Sequence, residues 1–321
     1  MANIPIFIPH AGCKNDCAFC NQRSITGKLT PPSMEQTADI IEKNLATLKG
    51  GGHTIAFFGG SFTGIGEALM REYLELAQRY IDKDKITGIR LSTRPDYITE
   101  EILDILCGYS VKHIELGAQS LDDEVLMASK RGHSAQDVVA AAAMIKKRGI
   151  TLGLQMMIGL PHDSYEKSLA TARRFVELGA EETRIYPTVV LKDTYLEKML
   201  RSGEYVPMDF EEAIDTAADC YSLFFENGVK VLRIGLQNSE ELKNNAVGGF
   251  YHDALGEKVY SRVIRRKAQS EPGGEICYNG RFASKVIGHK RENMPYFEGY
   301  TLCEDNSIEG VCINKKYVLT M

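Results

Sequence analysis

The sequence predicts an α/β protein: a partial (β/α)6 TIM-like barrel of parallel strands followed by a small C-terminal α+β appendage. Two features of the first 237 residues support this prediction. Short apolar runs alternate with amphipathic helical segments, and most of the runs have one apolar and one polar face. Strand–helix repeats of this length form crossover units, which pair the strands in parallel. An open doubly wound sheet is the competing arrangement.

Apolar runs and helix caps define the predicted elements. The predicted strands are residues 4–9, 54–58, 88–92, 113–119, 151–159, 183–190 and 229–236. Between them, apolar residues recur at helical spacing, as in the segment 34–49. Ser134 and Ser164 are predicted N-caps, and Gly149 and Gly179 end the helices that follow them.

The polar faces of the strands favour a barrel. In 113–119, Glu115 and Gln119 lie on the face opposite Leu116, because successive side chains of a strand alternate. An open sheet covered by helices on both sides would be apolar on both faces. Two interpretations of the inner charges stay open. Glu115 pairs with Arg90 or Arg184 to offset burial, or the set serves a ligand.

The pattern changes after residue 237. We therefore expect a barrel over 1–237 and an appendage over 238–321. The appendage is predicted to hold a helix and short antiparallel strands that close the barrel or mediate a homodimer. No run of eighteen apolar residues occurs, and the N-terminus is too short and Pro-rich for a secretory signal, so we expect a cytoplasmic protein.

Three of the eight cysteines crowd into one loop. Cys13, Cys17 and Cys20 follow the first strand with C-x3-C-x2-C spacing, at the active end of a parallel barrel. They suit a 4Fe–4S cluster with one open iron, or a structural zinc ion with His10 as fourth ligand. Two further cysteines, at 107 and 220, are expected in the core. The remaining three, Cys277, Cys303 and Cys312, leave a second metal site open.

The cysteine motif, with Phe19 before its last member, resembles the radical S-adenosylmethionine (SAM) superfamily. The resemblance implies that the open iron of the cluster chelates the amino and carboxylate groups of SAM. It also implies reduction by a partner such as flavodoxin or ferredoxin. The resulting 5′-deoxyadenosyl radical abstracts a hydrogen atom from the substrate.

Further motifs are similar to the branch that contains anaerobic coproporphyrinogen oxidase and the elongator catalytic subunit. They are FFGGSF (57–62), STRPDYI (92–98), ELGAQS (115–120), KRGH (130–133) and MIGLP (157–161). The implied cofactor-binding residues are Phe19, Gly59, Gly60, Ser61, Ser92, Gln119, Arg131 and Gln155. Arg131, twelve positions after Gln119, would pair with the SAM carboxylate. Ser61 departs from the family's acidic or Thr residue.

The short chain, with GGFYHDALGE at 248–257, resembles queuine lyase. This implies a small-molecule substrate, queuine, and C–N cleavage to 7-aminomethyl-7-deazaguanine. Arg184, Tyr186 and Arg233 are the expected substrate-facing residues. The net charge of −5 argues against an extended nucleic-acid surface.

Two other functions stay open. One is a radical SAM enzyme that modifies tRNA, which the basic run at 258–267 favours, although a solvated or subunit-facing helix also accounts for that run. The other is a zinc-stabilised binding module without enzymatic activity, held by the N-terminal cysteines.

Overall fold

The fold is a curled half-barrel of seven parallel strands in the order β1–β2–β3–β4–β5–β6–β8. The computed structural model describes residues 2–9, 12–13, 17–21, 30–82, 84–237, 239–271 and 273–320. The strands are β1 Asn3–Ile8, β2 His53–Gly59, β3 Ile86–Thr93, β4 Val111–Gln119, β5 Thr151–Ile158, β6 Glu182–Pro187 and β8 Lys230–Ile234. A short strand, β7 Val189–Leu191, lies outside the sheet. The predicted partial barrel is confirmed, and β8 follows its six strand–helix units.

Helices connect the strands. They are α1 Met34–Thr47, α2 Glu67–Gln78, α3 Glu100–Cys107, α4 Asp123–Ala128, α5 Ala135–Lys147, α6 Tyr165–Glu177, α7 Tyr195–Ser202 and α8 Phe210–Glu226. Both predicted N-caps are confirmed: the Ser134 and Ser164 side chains accept hydrogen bonds from the backbone N–H groups of Asp137 and Lys167. None of the helices in the described part of the chain is long and apolar enough to cross a membrane.

The predicted side-chain alternation is confirmed. Ile114, Leu116 and Leu154 on the apolar faces of β4 and β5 are fully buried in the main hydrophobic core. On the opposite faces, Arg90 and Glu115 are also buried, but they pair with each other across β3 and β4. The helices thus cover one side of the sheet, and polar groups line the other.

The C-terminal region contains α9 Glu240–Asn245, β9 Ala246–Gly249, α10 Leu255–Gln269 and α11 Ala283–Ile287. Its sheet comprises β10 Gly274–Tyr278, β11 Tyr300–Glu304, β12 Gly310–Ile313 and β13 Lys316–Thr320, in the order β11–β10–β12–β13. The predicted antiparallel pairing is found for β10–β12 and β12–β13, but it is wrong for β10 and β11, which pair in parallel. Residues 279–299, which include α11, form the crossover that a parallel pair requires. The boundary after residue 237 stays a prediction.

Intramolecular contacts use much of the basic run of α10. Arg262 pairs with Glu211 and Asp215 of α8, and Arg266 pairs with Asp215 and Asp219. These contacts fix α10 against the barrel. They leave less of its positive charge for a phosphate backbone than the sequence suggests.

Candidate functional site

The carboxyl ends of β1 to β5 surround a cavity of about 220 Å³. It is lined by Cys13, Cys17, Phe19, Cys20, Gly59, Gly60, Ser61, Ser92, Thr93, Arg94, Gly117, Gln119, Arg131 and Gln155. The set includes the three cysteines and all eight predicted cofactor-binding residues. Their individual roles stay predictions, but the fold brings them together.

The cysteine loop is held by backbone hydrogen bonds to distant segments. The Ala18 N–H donates to the Ser129 carbonyl at 2.9 Å, and the Leu196 N–H donates to the Ala18 carbonyl at 2.7 Å. Cys17 is buried beside these contacts, whereas Cys13 is exposed, with its Sγ 3.6 Å from Ser61 Oγ. The loop is therefore positioned by residues at the end of α4 and the start of α7. His10 lies outside the described residues.

The three sulfur atoms are not arranged around a single ion. Within the described residues, only Glu275, Cys277 and Cys303 bring three ligand atoms within 4.8 Å of one another. A tetrahedral zinc ion with bonds of about 2.3 Å would hold its sulfurs only about 3.8 Å apart. A 4Fe–4S cube attaches each thiolate to a different iron and separates the sulfurs more widely. The donor set of the N-terminal loop therefore fits the cluster.

Two guanidinium groups place positive charge beside Cys17. Arg131 donates from Nη1 to the Cys17 sulfur at 3.0 Å, and Arg94 Nη1 lies 3.9 Å from the same sulfur. Arg94 also donates to the Arg131 carbonyl at 2.6 Å and pairs with Asp96, which fixes its orientation. Such charge favours thiolate ligands and a carboxylate-bearing cofactor.

His133 stays neutral behind these arginines. Burial, aided by the charges of Arg131 and Arg94, lowers its pKa to about 4. Its Nε2 lies 3.2 Å from the Ala118 carbonyl, to which a neutral imidazole can donate. His133 therefore adds no positive charge to the site at neutral pH.

Gln119 ends β4 in a strained conformation. Its φ of 70° lies in the left-handed region, and the pairing of β4 with β5 shifts register just before it. This bulge points the side chain into the cavity, where the amide oxygen is buried and has no hydrogen-bond partner among the described residues. A buried acceptor of this kind is normally satisfied, so it fits a donor supplied by a bound cofactor. Gly117 keeps this space open, because a Cβ there would lie 3.0 Å from Gln119 Nε2.

A charged network lies on the same face of the sheet and reaches the cavity through Gln155. Glu115 accepts hydrogen bonds from Arg90, Arg184 and Gln155. Burial alone would raise the pKa of Glu115, but Arg184, Gln155 and Arg90 outweigh it and hold the pKa below its ordinary value. The pairing interpretation of Glu115 is thus confirmed. Gln155 also donates to Ser92 Oγ at 3.3 Å, which fixes its amide at the cavity wall.

The three predicted substrate-facing residues are neighbours on β6 and β8. Arg184 stands in register with the exposed Arg233 and lies two positions from Tyr186 on β6, and burial raises the pKa of Tyr186. Arg184 forms an ion pair with Glu115, whereas the side chain of Arg233 is exposed to solvent. Arg233 is therefore the more accessible of the two cations. Contact of this set with a substrate stays a prediction.

Sequence reasoning did not select Thr93, Arg94 and Gly117 as cavity residues. A signal was present, because Thr93 and Arg94 follow Ser92 directly at the end of β3, and Gly117 shares the polar face of β4 with Gln119. Arg94 in particular is hard to select from the sequence, because Asp96 two positions later suggests that the two residues form an ordinary surface ion pair.

Comparison with known families agrees with this site. The Radical SAM superfamily matches residues 7–175, more than half of the chain. The chain belongs to the radical SAM superfamily. A second match, to the Radical_SAM C-terminal domain, covers residues 180–265. The cofactors of this superfamily, a 4Fe–4S cluster and SAM, agree with the donor set of the cavity.

Several curated relatives are similar to this radical SAM chain. "Uncharacterized protein MJ0486" of Methanocaldococcus jannaschii is 31% identical over 222 residues, covering 67% of this chain and 64% of that protein. The "tRNA uridine(34) acetyltransferase" of Methanocaldococcus infernus is 30% identical over 201 residues, 60% of this chain and 36% of that protein. "Elongator complex protein 3" of Saccharomyces cerevisiae is 30% identical over 142 residues, 43% and 26% of the two chains. The chain spans less than two thirds of each relative's length.

Solved structures support the fold. The archaeal M. infernus Elp3 with an N-terminal deletion superposes with a TM-score of 0.68 at 22% identity, covering 83% of this chain and 63% of that chain. Coproporphyrinogen III oxidase (HemN) from Escherichia coli gives a TM-score of 0.52 at 17% identity, with 71% and 53% covered. Both branches suggested by the sequence motifs therefore share this half-barrel.

Proposed function

We propose that this radical SAM enzyme binds its cluster through Cys13, Cys17 and Cys20 and abstracts a hydrogen atom from a nucleoside of tRNA. The observation that carries the proposal is the single cavity that joins these cysteines to the predicted SAM-binding residues. The substrate class is supported by relatives named tRNA uridine(34) acetyltransferase and Elongator complex protein 3. Those names describe longer proteins, so the substrate is part of the proposal.

The protein side of the mechanism consists of binding and positioning. A 4Fe–4S cluster held by Cys13, Cys17 and Cys20 would supply the electron for reductive cleavage of SAM and thereby the hydrogen-abstracting chemistry. Arg131 would meet the SAM carboxylate while it stays in contact with Cys17. Gln119 would accept a hydrogen bond through its buried amide oxygen. Gln155, held by Glu115 and Ser92, would present its own amide oxygen to SAM.

A second candidate is C–N cleavage of queuine. It is favoured by the resemblance of segment 248–257 to queuine lyase and by the place of that segment in the fold. A Cβ on Gly159, just after β5, would lie 2.9 Å from the Phe250 ring, so the segment reaches the carboxyl end of the sheet. The comparisons favour tRNA over this candidate.

One assay separates the two substrates. The protein is reconstituted with iron and sulfide without air, reduced with dithionite and incubated with SAM. Unfractionated tRNA, queuine or no substrate is then added. We expect tRNA to raise 5′-deoxyadenosine, quantified by mass spectrometry, above the substrate-free background. Stimulation by queuine alone, with release of 7-aminomethyl-7-deazaguanine, would replace the tRNA proposal with the second candidate.

Two variants control the assay. Cys17→Ala should abolish both the visible absorption of the cluster and SAM cleavage. Cys220→Ala removes a buried thiol of α8 that lies outside the cavity, so it should keep the cluster. Full SAM cleavage by Cys17→Ala would overturn the ligand assignment itself.

A further inference from the structure

The C-terminal sheet carries a second group of thiols. Cys277 of β10 stands in register with Cys303 of β11 on one side and with Cys312 of β12 on the other. Residues paired in register point to the same face of a sheet, so the three cysteines form a transverse row. Glu275 precedes Cys277 by two positions and therefore shares this face. The neighbouring Ile276, by contrast, is fully buried on the opposite face.

Three members of this face are close enough to share one ligand. One ligand atom each from Glu275, Cys277 and Cys303 lies within 4.8 Å of the others. Cys277 occupies the centre, because it is in register with Cys303 across the strand pair and lies two positions after Glu275 along β10. The spacing exceeds the sulfur–sulfur distance of about 3.8 Å around tetrahedral zinc by at most about 1 Å. Small changes of side-chain torsion can close that gap.

The site is open to solvent. Cys277 and Cys303 are half-buried, and Glu275 is exposed. An ion could therefore enter without unfolding of the sheet, and a water molecule could complete the coordination. Two sulfurs and one oxygen suit a borderline-soft divalent cation such as Zn²⁺ rather than Mg²⁺ or Ca²⁺, which prefer oxygen ligands.

We propose that Glu275, Cys277 and Cys303 bind one Zn²⁺ ion on the outer face of the C-terminal sheet. Binding releases the two thiol protons to solvent and leaves two thiolates and one carboxylate on the metal. Because Cys303 lies on the edge strand β11 and Cys277 on its neighbour β10, the ion links the edge strand to the rest of the sheet. The site shares no residue with the SAM cavity, so it stands independently of the proposed function.

The test uses the full chain with its N-terminal cluster assembled. The reduced holoprotein is incubated with Zn²⁺ without air and desalted, and zinc and iron are measured by mass spectrometry of the elements. We expect one zinc per chain, and a loss of at least ten-fold in bound zinc for Cys277→Ser and Cys303→Ser at unchanged iron content. Glu275→Gln, which alters an exposed side chain, should raise the zinc dissociation constant at least ten-fold.

Cys107→Ser is the matched control. Cys107 is exposed at the end of α3, contrary to the core position expected from the sequence, and its removal should leave zinc binding unchanged. Cobalt titration adds a spectroscopic readout, since a thiolate–cobalt charge-transfer band should appear only when both cysteines are present. Zinc retained by the Cys277→Ser/Cys303→Ser double variant would overturn the proposal. A 277–303 disulfide in the reduced holoprotein, or the absence of zinc uptake, would overturn it as well.

Discussion

Replacing Glu115 with glutamine tests how the charged network beneath the cavity is balanced. The Glu115 side chain is 1% exposed and accepts hydrogen bonds from Arg184 at 2.6 and 3.0 Å and from Arg90 at 2.9 Å. Glu115→Gln keeps the size of the side chain but removes its negative charge. The two arginines are affected differently, because Arg90 also pairs with Glu182 at 2.6 Å.

The expected loss in the free energy of unfolding comes mainly from leaving Arg184 without its carboxylate partner. Its side chain is 12% exposed, and Glu115 is its carboxylate partner. Removing one member of a buried ion pair typically costs about 3–5 kcal/mol, because the other charge stays desolvated. At about 2–4 °C per kcal/mol, the midpoint of thermal unfolding should fall by roughly 10 °C. The control Glu182→Gln leaves Arg90 paired with Glu115, so it should cost only about 1–2 kcal/mol.

Thermal unfolding followed by circular dichroism measures both variants at neutral pH. A second-site change, Arg184→Met in the Glu115→Gln background, should recover much of the loss, since it removes the unpaired guanidinium. The reasoning would be refuted if Glu115→Gln unfolds within about 1 °C of the parent protein. Equal destabilisation by the Glu115 and Glu182 variants would refute the unequal sharing of partners.

Three further predictions concern the cavity and its surroundings. Arg131→Met should weaken SAM binding about 10–100-fold in equilibrium dialysis, because a charged hydrogen bond contributes about 1.5–3 kcal/mol; Arg131→Lys should lose less. Gln119→Gly should lower 5′-deoxyadenosine formation while raising the unfolding midpoint, since glycine relieves about 1 kcal/mol of left-handed strain; a lower midpoint would contradict this. Burial alone would raise the pKa of Glu182, but hydrogen bonds from His113 and Arg90 lower it from 4.5 to about 2. The stabilisation by ionised Glu182 is therefore present above pH 4.5 and lost as the pH falls toward 2, so the free energy of unfolding of Glu182→Gln should depend less on pH in that range.

Much of the fold is predictable from side-chain periodicity. Strand alternation separates Glu115 and Gln119 from the apolar residues of β4, and serine caps mark the starts of α5 and α6. These signals are local, so they survive in a single sequence. The strand ends of a parallel barrel converge, which is why motifs distant in the chain could be assigned to one site.

Features that depend on tertiary context were less accessible. The sequence left open whether Arg90 or Arg184 pairs with Glu115. In the structure both do, because Arg90 on β3 and Arg184 on β6 approach the Glu115 side chain on β4 from opposite directions along the sheet. The mixed character of the C-terminal sheet depends on the path of residues 279–299, which carries no strong periodicity. Cys107 is exposed although its helix is apolar, since only the other flank of α3 faces the core.

The contacts between the cysteine loop and the residues that follow α4 have a thermodynamic consequence. Ala18 is tied to Ser129, and two residues further along the chain Arg131 touches the Cys17 sulfur. Binding of the cluster by this loop and binding of SAM in the adjoining cavity would therefore order the same short stretch of backbone. Whichever ligand arrives first leaves less disorder for the second to remove, so each should tighten the other's binding by an equal factor.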